Sequence, residues 1–519
     1  MTVDRDYEIR LVAAPKSPNT VAAVRRVVAE ALGEGWRVQR VTPRSRLVLI
    51  RGRSEHPVAS KPHAQESHEA AVALQRTNRF TKVEADIPIR VYAEQETVAE
   101  EIEVGAFALP LRWVHDILDW DAALAVMPAA ARGGKGIRIG HPDTGYTDHP
   151  NLTLKALDLN LDWDVVDGDN DARDDLQQSP FWPLPFPGHG TSTASVIVGH
   201  GPVGEGIAGL APEARLVPIR TTESVAQVFD TDVAKAVAHA RAVGCHVISM
   251  SLGGKGFFGL EKEIQRAVDS GILVMAAAGN YVGFVTAPAT YANCIAVAAT
   301  GPGDIRWQWS SHGRAVDVAM PGEDVYNARY EKRTKKPFVG TGNGTSFAVA
   351  HLAAAAALWL AHHGRDTLIG MYGAQNLQAA FLAVLRWPAV CVVPANWDLD
   401  WGIGRVDLVK LLEAPLPRPE DLHSVGAFGD EVHDAASRIA YAINADPVVV
   451  WTKLAAYLRA SDPAELGELL DQHEGELVYL AYTDSGFAEA LLNPGDVGAF
   501  APAINTGGVS TALAARLGT

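Results

Sequence analysis

The sequence predicts an α/β protein built on a central, mostly parallel β-sheet, with a small α+β domain before it and a mainly helical segment after it. Between about residues 106 and 415, short β-rich runs alternate with helix-like stretches: GIRIGHPDTG is followed by TSTASVIVGH, and ARLVPIR by TDVAKAVAHARAVG. The β-rich runs are apolar on both faces, which is typical of parallel strands covered by helices. A functional site is expected in the loops at the carboxyl ends of such strands.

Residues 1–105 predict a small α+β unit ahead of this domain. The strand-like run YEIRLVAA leads to the helical stretch NTVAAVRRVVAEALGEG. Two further strands, WRVQRV and SRLVLI, precede a polar stretch and then IPIRVYAE.

From about residue 416 to residue 519 the pattern turns helical. The helical stretches are EVHDAASRIAYAIN, VVVWTKLAAYLRA and PAELGELLDQHEGELVYLAYT, followed by a tail rich in Gly, Ala and Thr. Their apolar spacing predicts helices that pack on something, either the central domain or a partner.

The composition is that of an ordinary globular protein and narrows the classes of partner. A chain of 519 residues is long enough for two or three domains. Its apolar fraction is 48% and its charged fraction is 20%. A formal net charge of -16 argues against nucleic acid or an anionic membrane as the main partner, because both require a basic face.

The N-terminal residues and the cysteines predict a cytoplasmic protein. MTVDRDYEIRLVAAPKSP lacks the basic start and apolar core of a secretory signal, and no window approaches the roughly 18 consecutive apolar residues of a membrane span. Cys245, Cys294 and Cys391 are too few, and odd in number, for a disulfide framework. We expect each to be a small buried apolar residue in a reducing compartment.

A serine stands at the start of an alanine-rich helix, in NGTSFAVAHLAAAAALWLA. Gly344 and Thr345 form a tight turn before Ser346, and the alanines after it predict a buried central helix. Unpaired N–H groups and the positive end of the helix dipole favour a developing anion here, as an acyl-transfer nucleophile requires. Taken alone, the serine is more simply interpreted as a helix N-cap.

Two further residues supply what a serine nucleophile needs, which is a base within hydrogen-bond reach and a carboxylate that orients the base. His189 lies between two glycines in GHGTST, at the start of a small-residue helix. Asp143 opens DTGYTDHPNL, at the predicted carboxyl end of a strand. Taken singly, the histidine is interpreted as a packing or surface residue and the aspartate as a turn or cap residue.

The order Asp, His, Ser with these flanking residues resembles the subtilisin-like serine proteases, the subtilases of peptidase family S8. The resemblance spans about residues 106–410 and includes GIAGLAPEARLVPIR, HVISMSLGG, MAAAGN, AVDVAMPG and WGIGRVDLVKLL in the family's order. It implies the three-layer subtilisin-like fold for a catalytic domain at 106–415. It also implies serine endopeptidase activity on protein or peptide substrates, with no cofactor required for the chemistry.

The resemblance implies a role for each matching residue. Ser346 attacks the scissile carbonyl, His189 takes its proton and passes it to the leaving amine, and Asp143 fixes the imidazole tautomer. Asn280, which closes MAAAGN, matches the family's side-chain oxyanion donor. Beside the triad, Pro142 stands where the family usually has an aliphatic residue, and it restricts the residue before it to extended backbone geometry.

Two segments resemble the family's substrate contacts. Ser251, Leu252 and Gly253 match the edge segment that pairs with an extended peptide through main-chain hydrogen bonds. Small residues would wall the pocket for the residue before the cleaved bond and leave room for a large apolar side chain: Ala276, Ala277, Ala278 and Gly279. For both segments, buried strand is the simpler interpretation.

An acidic stretch ahead of GHGTST is a candidate metal site. Asp167, Asp169 and Asp171 have the spacing at which an EF-hand begins, but Ala172 stands where that loop has glycine, which argues against an EF-hand. Since subtilases often bind calcium by other loops, the resemblance makes this stretch a candidate for a structural Ca²⁺ site. A solvated acidic loop is the simpler interpretation.

The flanking units raise the question of regulation. A small α+β unit ahead of a subtilase resembles the family's propeptide, which aids folding and blocks the cleft until it is cut; a permanent regulatory or docking domain is the alternative. A regulatory protein or a second copy of the chain is a candidate partner for either extension.

Two other activities remain open for the chain. One is a peptide ligase or macrocyclase that uses the same acyl-enzyme, and the other is a latent or non-catalytic scaffold whose cleft is sealed.

Overall fold

The computed structural model describes most of the chain, and the structural statements below concern these residues: 5–17, 20–43, 45–58, 60–89, 109–176, 186–201, 208–225, 228–331, 334–424, 436, 439–440, 443–492 and 506–517. Within them, the predicted fold class is confirmed. A mostly parallel sheet between helices is preceded by a small α+β domain and followed by a helical extension.

The N-terminal domain is a four-stranded antiparallel sheet with two helices. Its elements are β1 (Glu8–Pro15), α1 (Val21–Leu32), β2 (Arg37–Arg40), β3 (Val48–Arg53), α2 (Lys61–Arg76) and β4 (Phe80–Ala85). The strand order is β2-β3-β1-β4. Ile9, Leu11 and Ala13 of β1 pack with the domain's own helices, whereas Val12 joins the hydrophobic core of the central domain. The sheet is therefore covered on both faces.

The sequence predicts a polar stretch before IPIRVYAE, but the structure places α2 and β4 there. Most buried residues of α2 are small or polar, with Val72 and Leu74 as the larger aliphatic side chains, so its apolar period is weak. The predicted strand IPIRVYAE is not formed over residues 87–89, and the rest of it lies outside the described residues.

The central domain contains a nine-stranded sheet and a separate hairpin. The strands are β5 (Arg138–Asp143), β6 (Trp163–Asp164), β7 (Arg215–Arg220), β8 (Val247–Met250), β9 (Leu273–Ala277), β10 (Ile295–Thr300), β11 (Val318–Pro321), β12 (Val325–Tyr330), β13 (Pro337–Gly342), β14 (Cys391–Val392) and β15 (Arg405–Val406). The sheet order is β14-β15-β11-β10-β9-β8-β5-β7-β6, and only the β14–β15 pair is antiparallel. Strands β12 and β13 form the antiparallel hairpin.

Helices cover both faces of this sheet. They are α3 (Trp113–Ile117), α4 (Trp120–Val126), α5 (His189–Val198), α6 (Asp230–Ala242), α7 (Phe258–Asp269), α8 (Thr345–His363), α9 (Arg365–Tyr372), α10 (Leu377–Leu385) and α11 (Leu408–Glu413). Helices α5 and α8 share a hydrophobic core with one face of the sheet, and α6 and α7 share a second core with the other face. This is the three-layer arrangement that the resemblance implied.

Helix α8 is the central helix that the alanine run predicts. By length and composition alone it passes as a membrane span, but 89% of its apolar window is buried inside the protein. Ala353 and the four alanines that follow it are 0% exposed. Their small side chains let the neighbouring strands approach closely.

The C-terminal extension is helical, as predicted. Its described helices are α12 (Pro447–Tyr457), α13 (Pro463–Thr483), α14 (Ser485–Leu492) and α15 (Thr511–Leu517). The first predicted helix, EVHDAASRIAYAIN, lies largely outside the described residues. The extension packs chiefly on the N-terminal domain: Leu477 and Leu480 share one hydrophobic cluster with Ile50 and Leu74.

Candidate active site

Three neighbouring strands of the central sheet end at one edge, and each leads to a residue of the predicted site. Strand β5 ends at Asp143, β8 is followed by Ser251, and β9 by a short turn to Asn280. These parallel strands are adjacent in the order β9-β8-β5, with a spacing of about 4.8 Å between neighbours. Residues that are distant in the sequence therefore meet at this edge.

Asp143 is the buried carboxylate of the site. It is 0% exposed, and its Oδ1 accepts hydrogen bonds from His189 Nδ1 at 2.7 Å and from the backbone N–H of Thr144 at 2.7 Å. Burial is the largest influence on the pKa of Asp143 and acts to raise it, but the charge and hydrogen bond of His189 contribute to a net lowering. An ionised carboxylate facing Nδ1 leaves Nε2 as the basic nitrogen of the imidazole.

His189 is the first residue of α5, and hydrogen bonds hold the segment before it. Asp174 accepts from the backbone N–H of Gly188 at 2.7 Å and from the Thr144 hydroxyl at 2.9 Å. At Gly190, a Cβ would lie 2.1 Å from a backbone oxygen of the loop after β5, so glycine is required for this close approach. Asp174 was not predicted as a site residue, because nothing local distinguishes it from the other aspartates of its stretch.

Ser346 is the second residue of α8 and is 8% exposed. Its backbone carbonyl accepts a hydrogen bond from the Ser251 hydroxyl at 3.0 Å, which ties the start of α8 to the end of β8. The N-cap interpretation of this serine is wrong, because Gly344 occupies the cap position and Ser346 lies within the first turn. Its N–H group therefore belongs to the positive end of the helix dipole.

Asn280 is fixed against the start of α8 by Thr345. Its Oδ1 accepts from the Thr345 backbone N–H at 2.9 Å and from the Thr345 hydroxyl at 2.9 Å. Since both neighbours of Oδ1 are donors, the flipped amide is excluded, and the Nδ2 group remains as a donor beside Ser346. Thr345 was predicted only as a turn residue, and its contact with Asn280 is not visible in the local sequence.

The segment 251–253 has one main-chain donor already engaged. The Gly253 N–H donates to the Val225 carbonyl at 3.0 Å. Ser251 and Leu252 are 1% and 3% exposed. An extended peptide that pairs with Gly253 must therefore replace the bond to Val225.

The three alanines predicted to wall the substrate pocket lie inside the sheet. Ala276 and Ala278 belong to the core beneath α6 and α7, and Ala277 belongs to the core beneath α8. Gly279 is partly exposed and has a φ of +113°. The buried-strand interpretation fits the three alanines, and Gly279 is the one of the four residues that reaches the edge of the site.

The acidic loop does not supply the donor set that calcium needs. Asp167 bonds to the Arg220 guanidinium at 2.7 Å, Asp169 accepts from the backbone N–H of Asp171 at 3.0 Å, and the Asp171 side chain is 64% exposed. Arg220 also pairs with buried Asp164 at 2.6 Å. Among the described residues, no three His, Cys, Asp or Glu side chains are grouped to hold a metal ion. These three aspartates therefore do not fit a calcium ion, and Arg220 organises the loop.

Comparisons with known proteins identify the family. The model of the Subtilase family matches residues 134–382. Thermitase of Thermoactinomyces vulgaris is 35% identical over 250 residues, which are 48% of this chain and 80% of thermitase. Subtilisin Savinase of Lederbergia lenta is 32% identical over 244 residues, which are 46% of this chain and 82% of that protein. A solved structure of proteases from Pseudoalteromonas arctica aligns at 23% identity with a TM-score of 0.48, over 57% of this chain and 93% of that chain. By its match to the family model and its likeness to thermitase, the chain belongs to the subtilase family of serine proteases.

Proposed function

We propose that this subtilase is a serine endopeptidase that cleaves protein or peptide substrates through an acyl-enzyme on Ser346. One observation carries the proposal: His189 Nδ1 lies 2.7 Å from the buried Asp143 carboxylate, at the sheet edge where the Ser346 helix begins. A histidine held in this tautomer presents Nε2 as a general base.

The proposed reaction divides into two halves. In the first, Ser346 Oγ attacks the scissile carbonyl while His189 takes the hydroxyl proton, and Asp143 stabilises the imidazolium that forms. The C–N bond then breaks, His189 gives the proton to the leaving amine, and the acyl group remains as an ester on the serine. In the second half, water attacks this ester with His189 as base, and the free acid and free enzyme result.

The proposed oxyanion site has two donors. Asn280 offers Nδ2, because its Oδ1 is held by Thr345. Ser346 offers its backbone N–H at the positive end of α8. Both act on the carbonyl oxygen as its negative charge develops. Losing one such donor costs about 100- to 1000-fold in turnover, a magnitude measured in a subtilisin.

We propose that the segment 251–253 binds the substrate backbone. An incoming peptide would exchange the Gly253 to Val225 hydrogen bond for one of its own.

The intact mass of the purified chain and of its Ser346→Ala variant, each with and without a fluorophosphonate, tests the proposal. We expect wild type alone to gain one probe mass. An Asn280→Ala variant should turn over a peptide substrate about 100-fold more slowly or worse while binding it with similar affinity. Label on both proteins, or label that maps to another residue, contradicts the assignment of Ser346.

The same mass measurements distinguish hydrolysis from the two alternatives, which are peptide ligation and a latent scaffold. A peptide ligase or macrocyclase would label at Ser346 but give a product whose mass is the acyl fragment joined to an added amine. A sealed, latent scaffold would leave wild type unlabelled until the N-terminal domain was displaced.

A further inference from the structure

A second histidine lies against the triad aspartate. His141 and Asp143 are two residues apart on β5, so their side chains point to the same face of the sheet. His141 is 1% exposed. Its Nε2 lies 3.0 Å from Thr193 Oγ1 of α5 and 3.7 Å from Asp143 Oδ2.

The two carboxylate oxygens of Asp143 have different surroundings. Oδ1 is held by the N–H groups of His189 and Thr144. Oδ2 faces the Thr193 hydroxyl at 3.3 Å and His141 beyond it. The same hydroxyl lies 3.1 Å from the His189 carbonyl and 3.3 Å from the Gly190 carbonyl, and the negative charge of Asp143 favours Oδ2 as the acceptor of its single proton. Because Asp143 is 0% exposed, bulk water does not reach Oδ2, and its orientation depends on these two side chains.

The hydrogen bonds of His141 indicate which of its nitrogens carries the proton. Burial, the largest influence, lowers the pKa of His141, so the ring is neutral near pH 7. Its Nδ1 is buried with no hydrogen-bond partner among the described residues. Since an orphaned buried N–H is rarer than an orphaned acceptor, the proton belongs on Nε2, facing Thr193 and Asp143.

We propose that His141 is a positioning residue for the triad: its Nε2–H donates to Thr193, whose hydroxyl donates to Asp143 Oδ2, and this chain holds the carboxylate so that Oδ1 stays aimed at His189. The proposal rests on the proposed function, because its consequence for turnover requires Asp143 and His189 to work as a pair. The other titratable groups that face His141 are Asp143 and His189. Its neighbour in register on β7 is Pro218, which carries no charge.

The test compares His141→Leu, which removes the donor and keeps similar bulk, with His141→Gln, which keeps an N–H at about the reach of Nε2. We expect His141→Leu to lower kcat about 10-fold with KM nearly unchanged, since hydrogen bonds to charged groups have effects of this size. His141→Gln should recover most of the loss. Equal kcat in His141→Leu and wild type, or equal damage in both variants, overturns the proposal.

Thr193 provides a second, independent pair of variants in case His141→Leu does not fold. Thr193→Val should reproduce the loss in kcat, and Thr193→Ser should restore it, because only serine keeps the hydroxyl. Equal activity of the two variants overturns the proposed hydrogen-bond chain from His141 through Thr193 to Asp143.

The matched control is His63→Leu. It removes another buried histidine, whose Nε2 lies 3.0 Å from the Glu8 carbonyl in the N-terminal domain. It should lower stability without changing kcat.

A spectroscopic measurement distinguishes failure of this proposal from failure of the proposed function. The proton on His189 Nδ1, shared with Asp143, gives a low-field NMR signal whether or not the enzyme turns over. We expect this signal in wild type and His141→Gln, and its shift or broadening in His141→Leu. A wild type that shows the signal but never labels at Ser346 refutes the proposed function alone. An unchanged signal in His141→Leu refutes the role of His141 alone, and no signal in wild type refutes both.

Discussion

The N-terminal domain is held by two interfaces of different composition. Toward the catalytic domain, apolar residues such as Val12 and Leu49 join the core beneath α6 and α7, and a buried charge cluster lies beside them. Arg10 is 2% exposed and lies 2.6 Å from Glu8 and 2.8 Å from Asp232 of α6. Its guanidinium also lies 3.8 Å from the ring centroid of Phe229. Buried ion pairs are specific in geometry, but the cost of removing their charges from water offsets much of their attraction.

Toward the C-terminal extension the contacts are mainly apolar. Helix α13 packs on α2 and β4, and residues such as Leu477 and Leu480, both 0% exposed, complete a core with the N-terminal sheet. Polar contacts lie at the edge of this shared core; for example, His68 Nδ1 lies 2.7 Å from the Gly508 carbonyl oxygen. Apolar burial stabilises in proportion to area and does not require exact partners.

This difference indicates that the N-terminal domain and the C-terminal extension form one folding unit, which packs on the catalytic domain. A propeptide held only by its contacts with the catalytic domain can leave once it is cut. A domain that shares its core with residues 443–492 and 506–517 has a second attachment that a cut does not sever. We therefore expect the N-terminal domain to be retained.

The largest expected effect comes from severing the chain with and without the C-terminal extension. In a Ser346→Ala background, a site-specific protease sequence placed between residues 89 and 109 allows the N-terminal domain to be cut free. We expect the cut domain to remain bound through gel filtration when residues 425–519 are present and to separate when they are deleted. The uncut deletion variant, checked by near-UV circular dichroism, is the control for folding. Release from the full chain would identify an ordinary removable propeptide.

Removing the buried cation at the interface with the catalytic domain should have the next largest effect. Arg10→Met removes the guanidinium that joins Glu8 to Asp232, which keep Arg51 at 3.4 Å and Lys235 at 2.7 Å respectively. The variant should cost about 4 kcal/mol of stability, measured by urea unfolding. Adding Glu8→Gln and Asp232→Asn to the same chain should recover most of this loss. A cost below about 1 kcal/mol for Arg10→Met would show that water reaches the charges.

Breaking the apolar interface at one side chain should cost somewhat less. Leu477→Ala removes a 0% exposed side chain from the shared core and should cost about 3 kcal/mol. Leu492→Ala, at a 45% exposed position of the same extension, is the matched control and should stay within about 0.5 kcal/mol of wild type. Similar values for the two variants would mean that the extension does not depend on this core.

Acid should weaken the unit formed by the two ends of the chain. Burial, the largest influence in each case, lowers the pKa of His63 and of His68 below the ordinary value of 6.5. The unfolded chain therefore binds more protons below about pH 6.5, and the free energy of unfolding falls as the pH drops through that value toward the lowered pKa values. Urea midpoints at pH 7.5 and pH 5.5 measure this loss. It should shrink in His68→Gln, and an unchanged midpoint in wild type contradicts it.

The smallest effect is expected from metal removal. Because Arg220 bonds to both Asp164 and Asp167, the acidic loop has its own counter-charge. Treatment with EDTA should shift the melting temperature by no more than about 1 °C, since it removes no group on which either interface depends. A larger fall that added Ca²⁺ reverses would restore the calcium prediction for this loop.

Local patterns predicted part of the catalytic domain. The runs GIRIG and ARLVPIR predicted strands β5 and β7, and the alanine run predicted the buried helix α8, whereas β6 and the hairpin of β12 and β13 were not predicted. The triad residues and Asn280 were predicted because their motifs occur in the order of the subtilase family; taken singly, these residues were interpreted as cap, turn or packing residues. The structure brings Asp143 to His189 and Asn280 to the Ser346 helix.

Helix α2 was missed because most of its buried residues are small or polar, so its apolar periodicity is weak, and strand β4 after it was missed as well. The shared core of the two ends, and the place of His141 beside Asp143, follow from the tertiary structure alone. A local pattern reports which face of an element is apolar, but not what covers it. His68 and Gly508 are 440 residues apart in sequence. The sequence by itself determined part of the catalytic domain and the residue types of its site, and only the folded chain decided what covers the N-terminal domain and what holds the second oxygen of Asp143.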